Sequence, residues 1–107
     1  MTAKPSPCAW CGRPVPEAAA GRRRRYCRQS CRQRAYEQRN VLAGTPIAVD
    51  SVILSADDAS AVADRAYQVR CACEDVATAV AEGASREELT RMCDDMVALA
   101  RDAERLR

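Results

Sequence analysis

Four cysteines near one end, Cys8-Ala-Trp-Cys11 and, after 15 intervening residues, Cys27-Arg-Gln-Ser-Cys31, constrain this 107-residue chain more than any other feature. A zinc ion is satisfied by four tetrahedral thiolates at about 2.3 Å, and two pairs joined by a loop of this length can wrap a single ion. The chain needs such a staple. Leu, Ile and Val together number 16, Phe is absent and 21 residues are Ala, which is little material for an apolar core. The seven Cys are an odd number at close spacings. In a reducing compartment that pattern reads as metal ligation or free thiols before it reads as a disulfide frame. The chain has no His, which removes His-ligated metals, Ser-His-Asp triads and Cys-His pairs. With no coherent acid-base or nucleophile pair left, the chain is not expected to be an enzyme.

Cys27 and Cys31 are i and i+4, so a helix beginning at Cys27 sets both sulfurs on one face, with the positive end of its dipole beside the cluster. Gly12, directly after Cys11, can take the positive φ that a tight Cys-x-x-Cys-Gly turn requires. A turn carrying one pair and a helix start carrying the other make the layout of a treble clef. Residues Arg13 to Val15 and Arg23 to Tyr26 are expected to pair as a short hairpin around 17–21. Two other readings of the thiols stand beside it. They are four unrelated buried thiols, or a redox Cys-x-x-Cys, which lacks the surrounding βαβ pattern.

The segment Cys8-x-x-Cys11-Gly12-Arg13-Pro14, followed by Arg25-Tyr26-Cys27-x-x-x-Cys31-Arg32-Gln33-Arg34-Ala35-Tyr36, resembles a group of short treble-clef-like zinc-finger proteins of high-GC bacteria and their phages, presumed to bind nucleic acid. The resemblance covers residues 8–39. It implies one structural zinc ion on Cys8, Cys11, Cys27 and Cys31, with a basic helix after them. Where that group commonly has Ser after the third ligand, this chain has Arg28, which adds charge and leaves the ligand frame intact.

The net charge of +2 conceals an electrical division. Residues 1–43 carry ten basic groups against Glu17 and Glu37, a balance of +8, and residues 44–107 carry a balance of −6. Gly44-Thr45-Pro46 marks the crossing. On a helix from Cys27, Arg28, Arg32, Tyr36 and Arg39 fall within an arc of about 80°, apart from the metal-facing arc of Cys27, Cys31 and Leu42. Arg22, Arg23, Arg24 and Arg25 sit just ahead of it. A rigid helix presenting Arg and Tyr beside a basic loop suits phosphate neutralisation, so these residues are candidate contacts to nucleic acid, DNA before RNA. A solvated face, or a face that binds an acidic protein surface, would carry the same charges. The acidic half is itself a candidate to mask the finger.

Two heptad seams follow. Val62, Ala66, Val69, Cys73, Val76 and Val80 form the first, and Leu89, Met92, Met96, Leu99, Ala103 and Leu106 the second. Gly83 suits the C′ position of one helix, Ser85 with Glu88 has capping-box spacing for the next, and the short connection predicts an antiparallel hairpin. Ser55 with Asp58 gives a weaker start signal for the first helix. The hairpin should be marginal alone and is expected to pack on other elements or to pair with a second copy as a homodimer. Cys73 and Cys93 are expected as buried small hydrophobes, with Cys71 off the seam and Tyr67 packed at a flank.

The expected architecture is therefore small and α-rich. It comprises a treble-clef-like four-cysteine zinc finger with a basic helix over 1–43, an apolar linker over 44–54 that packs on the hairpin, and an acidic helical hairpin over 55–107. No apolar run reaches the length of a membrane span and the first residues lack a signal-peptide pattern, so a cytoplasmic protein is expected. The expected function is zinc-dependent nucleic-acid binding in a regulatory role, with the hairpin setting oligomeric state. The alternative is a protein-interaction adaptor whose hairpin is the binding surface and whose zinc site is only structural.

Overall fold

The structure is a computed structural model that describes residues 5–16, 21 and 23–107. Among them are three helices, α1 over Gln29–Leu42, α2 over Ala56–Ala81 and α3 over Arg86–Ala103, and no strand beyond a single antiparallel bridge between Pro7 and Pro14. The protein is small and α-rich. It divides into two compact units, Met1–Ser55 with Leu106–Arg107, and Ala56–Arg105. No helix among the described residues is long and apolar enough to cross a membrane.

In the first unit, the chain from Ser6 to Val15 folds back on itself. The Cys8 N–H donates to the Arg13 carbonyl oxygen at 2.7 Å and the Val15 N–H to that of Ser6 at 3.0 Å. The expected pairing of Arg13 to Val15 with Arg23 to Tyr26 is therefore corrected, because the near side of the same turn takes up these groups. The 23–26 segment touches the turn through Arg25, whose carbonyl oxygen accepts from the Ala9 N–H at 2.8 Å. Gly12 has φ of 81°, as the turn requires, and its N–H donates to the Cys8 carbonyl oxygen at 2.9 Å.

Helix α1 begins two residues later than its cysteine spacing predicts. Arg28 is the N-cap, extended at φ −157° and ψ 166°, and no side chain caps the helix. Cys27 thus precedes α1 while Cys31 lies in its first turn, and Arg28 is not on the helical stripe of Arg32, Tyr36 and Arg39. Cys31, Ala35 and Leu42 are the buried face of α1. The segment expected as a separate linker belongs to this same unit, with the Gln38 amide donating to the Ser51 carbonyl oxygen at 3.0 Å. Residues 47–54 form no strand, and Ile47, Val49, Val52 and Ile53 are exposed.

In the second unit, α2 and α3 pack together as an antiparallel hairpin. The register shows in two contacts, Arg65 to the Arg105 carbonyl oxygen at 2.7 Å and Cys73 Sγ to Met96 Sδ at 3.4 Å. As one helix advances, the other recedes. The chain leaves α2 through a Schellman motif, with Ala84 N–H to Ala79 oxygen at 3.0 Å and Gly83 N–H to Val80 oxygen at 3.1 Å. It enters α3 through Ser85, whose hydroxyl accepts from the Glu88 N–H at 3.1 Å. Only Arg65 and Ala79 of α2, and no residue of α3, are buried. Cys73, expected inside, is exposed, as is Tyr67. Two helices alone cover only part of each seam, so Val80 and Leu99 remain 60% and 36% exposed.

Candidate metal centre

The four sulfurs of Cys8, Cys11, Cys27 and Cys31 lie within 4.8 Å of one another. The Cys11 and Cys27 sulfurs are 3.5 Å apart, and those of Cys27 and Cys31 are 3.7 Å apart. A tetrahedral ion with about 2.3 Å ligand bonds separates its sulfurs by about 3.8 Å, so the arrangement fits one metal ion. Cys8, Cys11 and Cys31 are buried and Cys27 is partly so, so the protein alone can supply all four ligands. Together with Val15 they form the packed centre of the unit, flanked by Trp10 and Tyr26. The ligands are the core.

Backbone and burial treat these thiols unequally. Burial raises the Cys8 thiol, but hydrogen bonds from the backbone of Cys11, Cys27 and Trp10 carry it below its ordinary value. Burial likewise raises Cys11, yet the Arg13 backbone and guanidinium and the facing Cys27 sulfur bring it down to about 6. Cys31 is pushed up to about 12, by burial first and then by the sulfurs of Cys27 and Cys11. Without a cation, the crowded sulfurs cannot all ionise together. Arg28 stands beside the cluster, and the Cys27 sulfur raises its already high pKa.

The arginines gather on the same unit. Arg23, Arg24, Arg25, Arg28 and Arg32, with Tyr26 and Gln29, line one open cavity of about 400 Å³. Arg22 lies outside the described residues. Arg39 does not line this cavity; its guanidinium donates to the Tyr26 hydroxyl at 3.1 Å and borders a second cavity of about 350 Å³. Tyr36 is 53% exposed and lines neither. Tyr26 and Arg25 border both cavities, and the second one also receives Trp10 and Arg107. Proximity to the ligands, Trp10 before Cys11 and Tyr26 before Cys27, is the sequence signal for the aromatic pair. Nothing local marks Arg107. No family model, curated protein or solved structure matches the chain, so the reading of this site rests on its own geometry.

Proposed function

We propose that the protein is a zinc-dependent nucleic-acid-binding protein, acting on DNA in a regulatory role. Zinc suits four thiolates at tetrahedral spacing in a chain without His, and as a closed four-cysteine site it serves structure rather than catalysis. When bound, the ion neutralises the crowded thiolates and thereby holds the Cys8–Cys11 turn against the start of α1. The observation that carries the functional reading is the cavity into which five arginines converge at that junction. Like charges so gathered repel one another, and an anionic ligand with several phosphates relieves the repulsion. The metal site fixes the two segments that bear them, so the basic notch has a defined shape instead of that of a cationic tail.

The protein-adaptor reading has an observation of its own, since the α2–α3 hairpin exposes Tyr67, Val80, Val97 and Leu99. A mobility-shift titration at two salt concentrations separates the readings. Nucleic-acid binding through the cavity gives a log–log salt slope of magnitude about 4, from about five phosphate contacts. Replacing Arg22 to Arg25 by Ala weakens binding and flattens that slope. Binding that ignores both changes rejects the proposal, and zinc analysis of the purified chain at one ion per molecule is the prerequisite.

A further inference from the structure

The arginine cavity has a neighbour of different chemistry. Beyond the partition made by Arg25 and Tyr26 lies the second cavity, about 350 Å³, whose walls include Trp10, Arg107, Val49, Val52 and Asp50. Its residues all belong to the finger unit. One cavity is lined mainly by arginine; the other combines the Trp10 and Tyr26 rings and two valines with Arg25, Arg39, Arg107 and the Asp50 carboxylate. Phosphate is attracted to both, but only the second adds the Trp10 ring, apolar side chains and a carboxylate. A base is suited to the second, because it has an apolar face to stack and an edge whose amino or imino N–H groups a carboxylate can accept.

We propose that this second cavity holds an unpaired base while the adjoining arginines hold its flanking phosphates, so that the ligand is single-stranded DNA. The inference rests on the nucleic-acid reading above and narrows it. A duplex keeps each base face covered by its neighbours, and only an unstacked base can lay its face on a side chain within a recess. Two stacking surfaces are present: the Tyr26 ring, and the Arg107 guanidinium, which lies 3.8 Å from the centroid of the Trp10 ring. Guanidinium planes stack on bases as aromatic rings do. The apolar side chains that complete the recess, Val49 and Val52, are 49% and 62% exposed and so accessible to a base. Tyr26 and Arg25 face both cavities, as a base and its own phosphate demand.

Trp10 is the only tryptophan, so its emission reports the cavity directly. The zinc-loaded full chain is titrated with a 12-nucleotide single strand and with the duplex of the same sequence. The single strand is expected to quench Trp10 and to bind about ten-fold tighter than the duplex, the low end of what one stacked base contributes. Val52→Glu, at an exposed position apart from the cysteines, brings the single-strand to duplex ratio close to one; the ratio is read because an added charge weakens both. Tyr26→Leu, which keeps an apolar side chain against the cysteine cluster, also lowers the ratio while zinc content stays at one. Equal affinity for both ligands with unchanged Trp10 emission overturns the base cavity and leaves the nucleic-acid reading standing. Binding of neither ligand at low salt overturns both.

Discussion

Arg107 places its guanidinium over the Trp10 ring, 3.8 Å from the centroid, while its Nε donates to the Trp10 carbonyl oxygen at 2.9 Å. Around this pair the Leu106 N–H donates to the Cys11 carbonyl oxygen at 2.6 Å, and Arg13 donates to the Arg107 carbonyl oxygen at 3.0 Å. Arg107 also reaches the Ile53 carbonyl oxygen at 3.1 Å. Residues remote in sequence thus form an outer wall of the cysteine turn.

Arg107→Ala removes that wall's anchor. A partly desolvated cation–π contact with its hydrogen bonds is worth about 1–2 kcal/mol, so a chelator should strip the metal roughly ten-fold faster. Trp10 emission should shift to the red as the ring meets water. Arg107→Lys keeps the charge but not the planar fork and should recover only part of the loss. Stopped-flow metal transfer to a chromogenic chelator measures the rate, and wild-type kinetics in the alanine variant would show the stack to be incidental.

Metal removal is expected to unfold the finger unit. Its packed centre is Cys8, Cys11, Val15 and Cys31, three of them ligands, so the thiols stripped of an ion have almost no apolar core to replace it. Chelation should abolish near-ultraviolet Trp10 dichroism and melt α1, a helix of 14 residues without a side-chain cap. Cys31→Ser should do the same without a chelator. A near-ultraviolet spectrum that survives chelation would mean that the unit holds itself together by other contacts.

What could be read from the residues alone was local. Cys8 and Cys11 with Gly12 describe one turn, and Gly83, Ser85 and Glu88 describe one helix–helix connection, so a few neighbouring side chains determine the geometry. Helix α1 was harder to place because its N-cap is Arg28, a residue type with no oxygen to accept a first-turn amide. Arg13 to Val15, expected against Arg23 to Tyr26, instead folds back on Ser6 and Cys8, a proline-containing stretch that carries no strand pattern. The Arg107–Trp10 stack joins residues 97 apart and leaves no periodic trace. Heptad spacing marks the α2–α3 seam but not its shallowness, because a pattern of apolar positions does not say how much of each side chain two helices alone can cover.

Acid should eject the metal. The Cys11 thiol, depressed to about 6 from an ordinary 9.0, contributes stability to the metal-free finger that is present above the ordinary value and lost as pH falls through about 6. Cys31, raised to about 12, acts in the opposite sense: its contribution is present below 9.0 and fades as pH rises toward 12. At neutral pH Cys31 is therefore protonated, and an entering ion must displace that proton. Calorimetry in two buffers of different ionisation enthalpy should find at least one proton released per ion at pH 7, with affinity falling as pH is lowered. Buffer-independent heats would contradict this.

Gly83 sits at φ of 74° with open space where a Cβ would be. Alanine there meets no neighbour, so its whole cost is the left-handed backbone, about 1 kcal/mol. Gly83→Ala should lower the thermal midpoint of the hairpin by a few degrees, whereas Ala84→Gly, just past that position, should change it little. An unaltered midpoint in Gly83→Ala would indicate that the turn relaxes into another closure.

The hairpin's shallow seam bears on whether it pairs with a second copy. Helix α3 has no buried residue, Leu99 on its seam is 36% exposed, and Val97 and Val80 are 45% and 60% exposed. Two helices of 26 and 18 residues with so little inside are marginal unless a second pair covers their open side. A second copy would supply four helices around one core, and stability would then depend on protein concentration by mass action. The thermal midpoint should rise with each ten-fold increase in concentration, and sedimentation should give twice the chain mass at micromolar levels. Leu99→Glu places a carboxylate in the proposed core, so it should yield a monomer whose midpoint no longer responds to concentration. One-chain mass throughout, with a midpoint independent of concentration in the unaltered protein, removes the dimer and leaves the exposed seam to a different protein partner.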